Sequence, residues 1–238
     1  MANFIAHKLL EACGEPGCPV CRLEQLGAER YLDSQFYENV NSPKWRDQLR
    51  ASLGFCREHA WLAVDKRLGD PLGFSIVYRD LVNSVLRRFE TGKSPARVAR
   101  SWTALLRQLP EEARTWIAGA LAAITPRKRC PVCEHRDETT RNTLAALLEE
   151  LKRPEMVTAL QSSQGLCLPH LSQALEHVQD VSVCETLIGI QREKLEGLRQ
   201  ELDEFIRKND YQFAAEGFGS ERDAWLRALA MVVGRKTE

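Results

Sequence analysis

Cys18-Pro19-Val20-Cys21 opens, and Phe55-Cys56-Arg57-Glu58-His59 closes, a stretch rich in helix-forming residues. Each end carries two soft metal ligands three positions apart, which we term a hook. The device recurs as Cys130-Pro131-Val132-Cys133 and Gly165-Leu166-Cys167-Leu168-Pro169-His170. The first hooks lie 112 residues apart (130 − 18) and the second hooks 111 (167 − 56). So small a drift is what an internal duplication leaves behind.

Working outward, the fold reads as all-α. Glycine and proline are sparse, alternating β-branched runs are absent, and Ala, Leu, Glu, Arg and Gln dominate most segments. Pro19 suits a first helical turn, and a helix from it carries Leu23, Leu26, Ala28, Tyr31 and Leu32 to a break at Asn39–Pro43. Shorter helices follow over Pro43–Leu53 and from Cys56 through Val64, then a longer one over Leu72–Phe89. Thr91–Pro95 marks a linker, with helices carrying Trp102, Leu105 and Leu106 before Leu109-Pro110 and Trp116, Ile117 and Leu121 after it. The second half repeats the scheme: Cys130 to Leu151, a short helix to Gln161, the Cys167 helix, and a long helix from about Val183 to Lys208. A tail with Tyr211, Phe213 and Phe218 leads to a last amphipathic helix bearing Trp225, Leu226, Leu229 and Val232, read as an aromatic cap on the core. This gives a first metal-binding repeat over 1–94, a helical linker over 95–126, a second repeat over 127–208 and a C-terminal cap over 209–238, all of which one compact domain could contain.

The ligand spacing carries the chemistry. Cys-x-x-Cys sets two thiolates on one side of a turn, and two such hooks complete a four-coordinate site. Each hook stands at a helix start, where free N–H groups and the positive end of the helix dipole favour the thiolate a metal requires. In Cys56-x-x-His59 and Cys167-x-x-His170 the three-residue spacing leaves both ligands on one helical face. The expected ligands are Cys18, Cys21, Cys56, His59, Cys130, Cys133, Cys167 and His170. A helix from Arg22 to Tyr37 travels roughly 24 Å at about 1.5 Å per residue, a distance that Glu38–Phe55 can return. We expect each repeat to close its own site, since local closure costs less entropy. An exchange of hooks between repeats is also geometrically allowed.

Four ligands with no fifth position fit structural zinc at two sites; three cysteines and a histidine can also hold an iron–sulfur cluster. Metal-dependent hydrolysis, with Glu58 as base, would need an open coordination position, so catalysis is the weaker expectation and no catalytic residue is assigned. A glutaredoxin-like redox pair would follow a strand in a β-α-β unit, and covalent haem would want histidine directly after Cys-x-x-Cys; neither pattern is present. Cys13 has no counterpart in the second repeat and reads as structural, and Cys184 as a small core residue. His7, His135 and His177 lack partners at ligand spacing.

Composition bounds the rest. The 238 residues carry 33 basic and 33 acidic side chains, so the charge footprint of a nucleic-acid binder is missing and the Arg127-Lys128-Arg129 run reads as a solvated connection. No apolar run has the length of a membrane span. The first thirteen residues suit a short amphipathic helix and not a signal peptide, so we expect a cytoplasmic protein in which cysteines bind metal and do not form disulfides. A protein partner, of unread identity, is expected for the assembled surface.

Several further stretches, Arg30-Tyr31-Leu32, Tyr37-Glu38-Asn39-Val40-Asn41, His59-Ala60-Trp61 and Phe205-Ile206-Arg207-Lys208-Asn209-Asp210-Tyr211, join the hooks in a pattern covering nearly the whole chain. In these the sequence resembles a family of bacterial and archaeal proteins of about this length, classed as a domain of unknown function. The resemblance implies the metal ligands and names no reaction.

Overall fold

A computed structural model describes residues 2–90 and 111–234. Among them the chain is helical without a strand: α1 (Ala2–Cys13), α2 (Pro19–Glu38), α3 (Pro43–Ser52), α4 (Arg57–Asp65), α5 (Pro71–Glu90), α6 (Glu111–Ile124), α7 (Pro131–Glu150), α8 (Pro154–Ser162), α9 (Leu168–His177), α10 (Val181–Lys208) and α11 (Ala224–Val233), with 3-10 turns at Tyr211–Glu216 and Ser220–Asp223. The Thr91–Pro95 linker and the expected Trp102 helix lie outside the described residues.

The helices start and stop where local chemistry says they should. Ser42 caps α3 by accepting from the Trp45 N–H at 3.5 Å, with Pro43 in the first turn. Asp180 caps α10 by accepting from the Ser182 N–H at 2.9 Å, which starts that helix two residues before Val183. Gly54 and Gly165 sit at φ 87° and 79°, left-handed values that glycine takes without a Cβ penalty. Each turns the chain two residues ahead of a second hook.

The chain divides into two units, residues 1–27 with 136–238, and residues 28–135. In the first, α1 packs on α8, α10 on α8 and α11, and α11 on α9. Its core gathers Leu9, Val20, Leu144, Leu147, Leu160, Leu166, Leu187 and Ile190, and Cys18, Cys21 and Cys167 belong to the same cluster. The other unit packs α3 and α6 on α5. Its core combines Leu32, Leu49, Leu62, Val77 and Leu81 with the rings of Phe36, Trp45 and Phe55, and takes in Cys130 and Cys133.

The C-terminal segment differs from the expected aromatic cap. Ala224 and Met231 are the buried residues of α11, while Trp225, Leu226, Leu229 and Val232 are each about half exposed, Trp225 at 52%. Tyr211 is exposed and Phe218 lies against Phe205 with ring centroids 5.2 Å apart. A helix apolar on nearly every side leaves periodicity unable to choose the face that turns inward.

Candidate metal centres

Two groups of four ligand atoms come together, each within 4.8 Å of one another. The first centre joins Cys18 and Cys21 to Cys167 and His170, and the second joins Cys56 and His59 to Cys130 and Cys133. All eight residues expected as ligands fall in these two groups, with a correction to their partnership: the hooks are exchanged, each group taking its Cys-Pro-Val-Cys from one half of the sequence and its Cys-x-x-His from the other. Loop entropy was too weak a guide. Closing 146 residues, as between Cys21 and Cys167, instead of the 35 between Cys21 and Cys56 (56 − 21), costs about 1 kcal/mol more. Burial of one large apolar side chain exceeds that. Val20 and Leu166, both fully buried in one core, stand beside the hooks of the first centre; Phe55 and Val132 do the same at the second.

Each hook begins a helix. Cys56 and Cys167 are the extended residues immediately before α4 and α9, and their carbonyls accept the first helical hydrogen bonds, from Ala60 and Leu171, both at 2.9 Å. Cys18 and Cys130 do the same ahead of Pro19 and Pro131, accepting from Arg22 at 3.2 Å and Glu134 at 3.1 Å. The turns into the second hooks share a serine device: the Ser163 hydroxyl accepts from the Gly165 N–H at 2.9 Å, and the Ser52 hydroxyl donates to the Gly54 carbonyl at 2.8 Å. In the second centre's unit, the backbone N–H groups of Arg127 and Lys128 donate to the Ala51 carbonyl at 2.8 and 3.1 Å, delivering the chain to Cys130. The basic side chains of this connection are exposed, as read from the sequence.

At the first centre His170 Nδ1 lies 3.5 Å from Cys18 Sγ, 3.4 Å from Cys21 Sγ and 3.2 Å from Cys167 Sγ, and Cys21 and Cys167 Sγ are 3.6 Å apart. At the second, His59 Nδ1 lies 3.1 Å from Cys56, 3.4 Å from Cys133 and 3.8 Å from Cys130, with Cys56 and Cys133 Sγ 3.7 Å apart. The same ring nitrogen of each histidine therefore faces the sulfurs. All first-centre ligands are buried; at the second, Cys56 is partly exposed.

Four residues around the first centre, Glu24, Thr140, Gln191 and Gly234, are not singled out in the sequence. His170 Nε2 stands 3.1 Å from Glu24 Oε1, and the Thr140 hydroxyl donates to the same carboxylate oxygen. Glu24 is three residues past Cys21 on α2, a same-face spacing that could have revealed it; the corresponding residue after Cys133 is Arg136. Gln191, buried on α10, accepts from the Leu166 N–H at 3.1 Å and donates to the Leu166 carbonyl at 2.9 Å, holding the backbone next to Cys167. No spacing signals it. Gly234, just after α11, comes so close that a Cβ there would stand 3.8 Å from Cys21 Sγ and Cys167 Sγ.

As thiolates these cysteines are electrostatically unfavourable until a cation joins them. Burial, reinforced by contacts with Cys167 and Cys21, holds Cys18 well above the ordinary thiol range. Cys133 is pushed up to about 12, first by burial and then by the nearby Cys130. Metal binding must therefore displace protons. Among the other candidates, Cys13 is buried in the first unit's core and Cys184 is half-buried; neither joins a ligand group. His7 pairs with Glu11 at 3.2 Å, and His135 stacks on Tyr31 with centroids 4.9 Å apart.

Residues 9–238 match the family described as "Family of unknown function (DUF6062)". A relative from Caldicellulosiruptor sp. (strain Rt8B.4), "Uncharacterized 23.9 kDa protein in xynA 3'region", is 26% identical over 231 residues, covering 95% of this chain and 99% of that protein. No solved structure matches.

Proposed function

Because this chain belongs to the DUF6062 family, whose description names no activity, we propose from geometry alone that it is a helical scaffold stapled by two structural zinc ions and used to bind a protein partner. One observation carries the metal. Around a single zinc, with Zn–S about 2.3 Å and Zn–N about 2.0–2.1 Å, a tetrahedron has sulfur–sulfur edges of about 3.8 Å and sulfur–nitrogen edges of about 3.6 Å. The S–S separations of 3.6 and 3.7 Å and S–N separations of 3.1–3.8 Å match those edges. An iron–sulfur cluster interposes several metal and sulfide atoms and would spread the same ligands wider. With three sulfurs and a nitrogen on each ion, no position is left for substrate or attacking water, which favours a structural over a hydrolytic role.

Surface apolar residues support the partner. On α11 Trp225, Leu229 and Val233 are each about half exposed or more, and in the other unit Val82 and Leu86 of α5 and Leu121 of α6 are similarly exposed. Protein contact is a common use of such residues when they are grouped. All eight cysteines are free and no described helix is long and apolar enough to cross a membrane, which suits the reducing cytoplasm. The shared recipe of the two centres we read as the product of duplication.

Anaerobic purification followed by elemental analysis tests the reading. Two zinc per chain in a colourless protein is the expected result. Broad visible absorption that bleaches on reduction, with iron and labile sulfide, would replace zinc by a cluster, and substoichiometric metal would end the reading.

A further inference from the structure

The two centres share a recipe but differ in protection. At the first, all four ligands are buried, His170 is held from behind by Glu24, and Gly234 lies against the Cys21 and Cys167 sulfurs. At the second, His59, Cys130 and Cys133 are buried while Cys56 is partly exposed, and the residues that follow it, Arg57 and Glu58, are exposed. Cys56 also stands immediately before α4, at the positive end of the helix dipole, which favours negative charge on sulfur. A metal-bound thiolate is a nucleophile, and its reaction with an oxidant requires that the oxidant reach it. Cys133 Sγ stands 3.7 Å from Cys56 Sγ, so the second thiol of a disulfide is already in place.

We propose that Cys56 is a peroxide-reactive modification site whose oxidation, closing on Cys133, discharges the second centre while the first retains its ion. The inference rests on the zinc reading above. The Cys56 thiolate attacks one oxygen of hydrogen peroxide; the O–O bond breaks, leaving a sulfenic acid on Cys56 and hydroxide, which takes up a proton. The Cys133 thiolate then attacks the sulfenic sulfur; the S–S bond forms, the S–O bond breaks, and a second hydroxide leaves and is protonated. Two thiolates have lost two electrons and peroxide has become two waters; an ion held by Cys56, His59, Cys130 and Cys133 would thereby lose two of its four ligands and be released. A dithiol reductant with added zinc reverses the process.

The test uses the full-length zinc-loaded protein, whose content of two zinc is first established by elemental analysis. Hydrogen peroxide is added with a chromogenic zinc chelator, and peptides are mapped without reduction. One equivalent of zinc should appear early and the second at least about tenfold more slowly, as expected of a buried thiolate. The early phase should coincide with a Cys56–Cys133 disulfide. Equal release from both centres, release from the first centre ahead of the second, retention of both ions, or a disulfide that omits Cys56 overturns this inference and leaves the zinc reading standing. Absence of zinc before oxidant is added overturns that reading, and this inference with it.

Discussion

Glu24 is where one residue acts through another. A carboxylate receiving the outer N–H of a ligand histidine fixes the ring and its tautomer, and loss of such a partner typically costs 10–100-fold in metal affinity. Glu24→Ala should weaken the first centre by about that factor, read by chelator competition, and leave the second unchanged. Gly165 makes a backbone demand: a Cβ at φ 79° would meet Gln191 Oε1 and Lys194 Cγ, both at 3.1 Å. Gly165→Ala should therefore cost about 1–2 kcal/mol in denaturant or thermal unfolding. The thiols set opposite pH limits with and without metal. Folding raises Cys133 from 9.0 to about 12, so in the metal-free protein its contribution is fully present below the unfolded value and is lost as pH climbs through about 12. Thermal midpoints of the chelated protein should fall across pH 9–12. The loaded protein should fail on the acid side, where protons displace the ion.

Elements were largely legible because their boundaries are set by nearby residues. Pro19, Pro43, Pro131 and Pro154 each begin a helix, and Gly54 and Gly165 turn the chain out of one. What local signals left open was which face turns inward: α11 buries Ala224 and Met231 and exposes Trp225, a choice made by packing on α9 and α10. Metal and helix starts should be coupled. On the zinc reading, chelation leaves four helix N-termini without the ions that would pin their hooks, while the N-terminal half of α10, with Leu187 and Ile190 buried, keeps its packing. After chelation, amide exchange should accelerate in the first turns of α2, α4, α7 and α9 and change little around Leu187 and Ile190.

The exchanged pairing is a property of the whole molecule and can be tested by metal stoichiometry alone. Cys18→Ser with Cys167→Ser strikes one centre twice and should leave one zinc per chain. Cys18→Ser with Cys56→Ser strikes both centres and should leave none tightly held. Closure within each half of the sequence would give the reverse. By itself the sequence determined the helical class, most helix boundaries and the eight residues that gather in the two Cys/His groups, because capping, glycine conformation and ligand spacing act over a few residues. Only the tertiary structure decided which hooks meet, that Glu24 and Gln191 support the first centre, and that Cys56 is the one member of the two groups that is partly exposed. Loop length distinguishes the two pairings by about 1 kcal/mol, and burial of Val20 and Leu166 in one core, and of Phe55 and Val132 in the other, outweighs it.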